Sequence, residues 1–152
     1  MILGIDPGLA NTGWAVIDKH KLIKYGCIET DKLSKRTDRL GYIYIELGKI
    51  IKEFKIKEIA FENLFFAKNV KSAMKVAEAI GMIKILAFNN KINVFEYTPL
   101  QIKLTLVGYG KAEKSQVEMM VRNELVLEEN IKPSHAADAV AVALTHFVYN
   151  WV

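Results

Sequence analysis

Three acids and one histidine, spread over the whole chain, are the residues whose types and settings suit chemistry. Asp6 ends the apolar run Ile2-Leu3-Gly4-Ile5 and is followed at once by Pro7-Gly8. Glu62 ends a second such run, Glu58-Ile59-Ala60-Phe61-Glu62. His135 and Asp138 stand in Pro133-Ser134-His135-Ala136-Ala137-Asp138, which reads as the start of a helix. Residues three apart on a helix share a face, with side-chain bases about 5–6 Å apart. Carboxylates in this number are hard oxygen ligands, suited to Mg²⁺ or Mn²⁺ rather than to a thiophilic metal. Each residue also has an ordinary reading. Asp6 can open the Pro7-Gly8 turn, and Glu62 can be a solvated strand end. Asp138 can answer the helix dipole, and His135 can be a partly buried, hydrogen-bonded histidine. The chemistry requires a fold that brings all four together.

The elements that would do so are legible in the hydrophobic pattern. Apolar segments at 2–6, 13–18 and 22–30, separated by Gly-, Asn- and Lys-containing turns, predict an antiparallel trio of strands. A helix over about 37–54 follows, with Leu40, Ile43, Leu47, Ile50, Ile51 and Phe54 on one face. Residues 58–62 read as a short buried strand reached through that helix, and so parallel to the first. The next helix, 70–89, has only Lys71, Lys75 and Glu78 as a polar stripe in its first half. A helix so apolar needs cover on most of its circumference, from a second subunit or from a later helix. A strand at 93–97 stops at Pro99, and a short helix at 99–106 leads into the loop VGYGKAEKSQ. A helix over 114–127 and a final helix opening at Ser134, its expected N-cap, complete the chain. The expectation is a single α/β domain over 1–152, a mixed five-stranded sheet flanked by helices. With the first and fourth strands adjacent and parallel, Asp6 and Glu62 emerge at one carboxyl edge, where open α/β sheets hold ligands. The small Ala136 and Ala137 would let the last helix approach that edge.

Composition sets outer bounds. The chain is 51% hydrophobic and 25% charged, a globular balance. Its charge of +4 and pI near 9.1 lean weakly towards polyanionic partners. Cys27 stands alone, which excludes an intrachain disulfide and a cysteine-rich zinc site. No basic stretch precedes a long apolar segment at the start. The longest apolar stretch, around AIGMIKILAF, contains Lys84 and is too short for a bilayer. A cytoplasmic protein with no membrane association is expected.

Four segments carry a resemblance. ILGIDPGLANTGWAVI, FENLFFAKN, FEYTPLQIKLTLVGYGKAEKSQV and HAADAVAVALTH resemble, in order and spacing, the RuvC family of Holliday-junction resolvases, from residue 1 to about 147. The resemblance implies a ribonuclease H-like fold, a homodimer, and metal-dependent cutting of four-way DNA junctions beside a branch-migration helicase. It makes Asp6, Glu62 and Asp138 metal-binding carboxylates. His135 falls where many members carry a further Asp and some carry His. Phe65 matches a base-stacking wedge near the junction centre, and Lys103 and Lys114 match basic residues near the scissile phosphate. Lys68 and Lys111, in segments flanking the acids, are expected to contact phosphates as well.

Such a site would hold two divalent ions, Mg²⁺ or Mn²⁺, about 3.5–4 Å apart. Asp6 is expected to bridge them, with Glu62 on one side and His135 with Asp138 on the other. An imidazole in place of an acid predicts a weaker second ion and a preference for Mn²⁺; a general acid or base role for His135 is the alternative. Three other functions compete. An actin-like or sugar-kinase-like ATPase shares the strand-Asp-Gly turn-strand opening but needs two such domains, which 152 residues do not supply. Another ribonuclease H-like nuclease would act on RNA–DNA hybrids. A non-catalytic junction-binding module would have lost cutting through His135, against which the trio Asp6, Glu62 and Asp138 argues.

Overall fold

The structure, a computed structural model, describes residues 1–63 and 70–150. Strands β1 (Ile2–Asp6), β2 (Asn11–Asp18) and β3 (Lys21–Glu29) form the antiparallel trio. Pairing between β2 and β3 begins at Asn11 with Glu29, two residues before the apolar run itself starts. Helix α1 (Arg36–Glu53) carries the chain to β4 (Glu58–Glu62), and α2 (Val70–Asn89) carries it to β5 (Asn93–Tyr97). The sheet order is β3-β2-β1-β4-β5, with β4 parallel to β1 and β5 parallel to β4.

Covering the sheet on both faces explains why β1 reads as an unbroken apolar run, since alternate residues are buried on opposite sides. Leu3, Ile5, Val16, Ile59 and Phe61 pack towards α1 and α2, against Ile43, Leu47, Ile51, Ile83 and Leu86. The other face meets α5 (Ser134–Tyr149), flanked by α3 (Pro99–Val107) and α4 (Lys114–Glu124). Thr98 caps α3 in a reciprocal pair with Gln101, Pro99 opens it, and Gly108 closes it at φ 76°. Those are the local reasons β5 stops where it does.

Helix α4 ends at Glu124, three residues short of the expected 127, because Val126 adopts a positive φ of 52°. The apolar run Leu125-Val126-Leu127 reads as a continued helix face. Leu125 and Leu127 instead turn into the core while Val126 is left outside. Ser134 is not the N-cap of α5. Pro133 holds that place, and Ser134 is the first helical residue.

Two glycines set how close α5 lies. A Cβ on Gly4 would overlap the Ala139 carbonyl oxygen and come within 2.7 Å of the Ala143 methyl. A Cβ on Gly13 would overlap the carbonyl oxygen of His135. The first turn of α5 therefore rests on the backbone where β1 ends and β2 begins. Ala136 and Ala137 are buried there, in keeping with their size. On the far side of the molecule α2 buries Ala79, Ile83 and Leu86 but leaves Met74 56%, Ile85 59% and Phe88 79% exposed. Among the described residues no later helix covers that face.

Candidate active site

The register delivers the acids. Ile5 of β1 pairs with Phe61 of β4, so the next residues, Asp6 and Glu62, leave the sheet side by side at its carboxyl edge. Gly13 is the partner of Asp6 on β2, and over it sits the first turn of α5. His135 Nδ1 lies 2.7 Å from Asp6 Oδ2. An ionised carboxylate only accepts, so Nδ1 carries the proton and donates, which leaves Nε2 for an ion or a proton. Asp138, one turn further, accepts from Lys114 Nζ at 2.7 Å. The same ammonium donates to Ser134 Oγ at 2.5 Å.

The electrostatics are those of an acid cluster short of positive charge. Burial pushes the Asp6 carboxyl above the ordinary range; its bond to His135 opposes that, and the nearby Asp138 charge reinforces it. Glu62 is pushed up to about 7, first by burial and then by the charges of Asp6 and Asp138, against the pull of Lys114 and Lys103. Three carboxylates and an imidazole suit a hard or borderline divalent ion, and such an ion would relieve the mutual repulsion. Among the described residues, no three such side chains already stand as a formed metal site. His135 and Lys114 each take up a carboxylate oxygen, and an ion entering here would replace those contacts. Glu62, Asp138, Lys103 and Lys114 line an open groove of about 260 Å³ with Pro99 and Ile102.

All four expected ligands, Asp6, Glu62, His135 and Asp138, are thus brought together from β1, β4 and α5. Lys103 and Lys114 stand beside them. Lys111 is exposed in the connection between α3 and α4. Phe65 and Lys68 lie outside the described residues. Two contributors escape a reading of the sequence: Ser134, which holds Lys114, and Gly13, which admits the backbone of His135. The signal for the glycines is present, since Gly4 and Gly13 face Ala139, Ala143 and Ala136 as small residues on both sides of one contact.

A mixed sheet of this order, with acids at the ends of its first and fourth strands and on the helix across them, defines a ribonuclease H-like nuclease. The family model "Crossover junction endodeoxyribonuclease RuvC" matches residues 2–146, and the chain belongs to that family. A crossover junction endodeoxyribonuclease RuvC of Finegoldia magna is 50% identical over 149 residues, covering 95% of this chain and 91% of its own. The structure of RuvC from Thermus thermophilus superposes with a TM-score of 0.93 at 34% identity, over 99% of this chain and 95% of that one. A second structure of that protein, in complex with a Holliday junction substrate, gives 0.92 at 35% identity, over 98% and 93%. The ATPase reading falls with these matches.

Proposed function

We propose that this chain resolves Holliday junctions as a crossover junction endodeoxyribonuclease, hydrolysing phosphodiesters symmetrically in two strands and leaving 5′-phosphate ends. The carrying observation is the convergence of Asp6, Glu62, His135 and Asp138 at one sheet edge with two lysines beside them. Asp6 and Glu62 would hold ions from the sheet, and Asp138 with Nε2 of His135 would hold them from α5. Two bound Mg²⁺ or Mn²⁺ ions would supply water activation and neutralise the charge building on the phosphate. The imidazole tilts that choice towards Mn²⁺.

The protein's own groups do the positioning. In the ion-free protein Asp6 accepts the Nδ1 proton of His135; an ion taken up by Asp6 would release that bond, and the ring would then turn Nε2 towards the ion. Lys103 and Lys114 face the groove and offer ammonium donors to the phosphate. Lys68 and Lys111 extend the phosphate contacts, and Phe65 stacks at the junction centre. A junction has approximate two-fold symmetry, which an isologous dimer matches with two sites. The exposed stripe Met74, Ile85 and Phe88 on α2 is the surface on which the second copy packs. The domain spans 1–152 and works in the cytoplasm with a branch-migration helicase. No helix of the described residues is long and apolar enough to cross a membrane.

A synthetic four-way junction incubated with and without Mg²⁺ or Mn²⁺ tests the reading, beside Asp6→Asn, linear duplex and an RNA–DNA hybrid. Paired, metal-dependent nicks in the junction alone, absent with Asp6→Asn, are expected. Metal-independent nicks, cutting confined to the hybrid, or binding without product would each overturn it.

A further inference from the structure

We propose that Ser134 is a positioning residue for cleavage: its hydroxyl tethers the Lys114 ammonium beside the acid cluster once Asp138 is committed to a cation. The inference rests on the resolvase reading and adds a residue to it.

Three observations carry it. Ser134 and Asp138 are four apart on α5, hence on one face, and the Lys114 ammonium bridges them at 2.5 and 2.7 Å. Pro133, not Ser134, holds the N-cap place of α5, and the side-chain bond described for Ser134 is this one. Lys114 is the first residue of α4, where a cation opposes the helix dipole, and its side chain is 51% exposed. A long flexible stem in that position needs an anchor.

In the ion-free protein Lys114 serves as an internal cation, and its charge reaches both Asp6 and Glu62. A divalent ion competes with it for the Asp138 carboxylate. When the ion wins, Asp138 no longer holds the ammonium, and of its two partners among the described residues the Ser134 hydroxyl remains. A neutral hydroxyl suits that role, because a carboxylate there would bind the ion itself and an alanine would release the lysine. Held at Ser134, Lys114 still lines the groove it shares with Glu62 and Lys103, with donors ready for a phosphate.

A double-mutant cycle with a spectroscopic readout tests this. Ser134→Ala should lower kcat on a junction about tenfold, a modest part of what misplacing a group by about 1 Å can cost. KM should stay within about twofold, and Ser134→Thr should restore kcat. In a Lys114→Ala background, Ser134→Ala should cost almost nothing more, because the two act as a unit. The ¹⁵N ammonium resonance of Lys114 should persist in Mg²⁺-saturated wild type and Ser134→Thr and broaden away in Ser134→Ala. Normal kcat in Ser134→Ala, an additive loss in the double variant, or a persisting resonance would overturn the inference alone. A wild type that cuts no junction would overturn the resolvase reading beneath it.

Discussion

Replacing Glu62 by Gln in the metal-free protein should make it more stable, although it destroys a ligand. Native Glu62 holds its proton up to about 7, against 4.5 for the group in its ordinary state. Between those pH values the native chain binds more protons than the unfolded one, so stability from this group falls as pH rises from about 4.5 to about 7. The loss is complete above 7. A midpoint displaced that far corresponds to about 3 kcal/mol, and partial exposure screens it to about 1–2 kcal/mol. In a domain of this size each kcal/mol moves Tm by about 2–4 °C. Melting in a chelator at pH 8 should therefore place Glu62→Gln about 2–8 °C above wild type, with the gap closing near pH 4.5. Saturating Mn²⁺ should reverse the order, since an ion that binds only the native state stabilises the protein that can hold it. Equal melting at pH 8 without metal would show that the acids do not strain one another, and the electrostatic reasoning would fail.

Gly13→Ala should lower Tm by about 2–12 °C, for the about 1–3 kcal/mol that overpacking costs, and cut junction cleavage with it. Gly41→Ala is the control: nothing stands within 4 Å of its new methyl, and the helical alanine should add roughly 0.5–1 kcal/mol. Similar melting of the two variants would remove the close α5 contact from the account. Phe88→Glu should yield monomers in sedimentation at micromolar concentration while secondary structure by circular dichroism is retained; an intact dimer would move the interface off α2. His146, fully buried between Tyr97, Glu58, Asn150 and the Phe95 ring, has its imidazole pushed below the usual range by burial, with Glu58 opposing. The unfolded chain therefore protonates first, and stability should fall as pH drops below about 6.5. His146→Gln in the Glu62→Gln background should flatten that decline in a melting series from pH 7 to 5, and an unchanged slope would clear His146 of it.

The edge that carries the candidate site is legible because covered strands write themselves as apolar runs, and an acid ending such a run can only emerge at the sheet's rim. Asp6 and Glu62 are readable in that way, and the helical crossover makes their strands parallel. The spacing of His135 and Asp138 implies a shared face, but not their partners. His135 turns to Asp6 and Asp138 to Lys114, contacts between residues 129 and 24 positions apart. Local pattern also misassigns Ser134, since a serine before a helical run looks like a cap whatever a distant lysine does with it. The end of α4 is hidden for a related reason: Leu125 and Leu127 follow the core rather than the helix period.

The central claim is that side chains from β1, β4 and α5 form one cation-holding site. Crystals grown with Mn²⁺ and measured at the manganese absorption edge test it most directly. Anomalous peaks are expected within about 2.0–2.3 Å of oxygens from Asp6, Glu62 and Asp138, with Lys114 swung off Asp138. An empty edge, with the Lys114–Asp138 contact intact at saturating Mn²⁺, would contradict it.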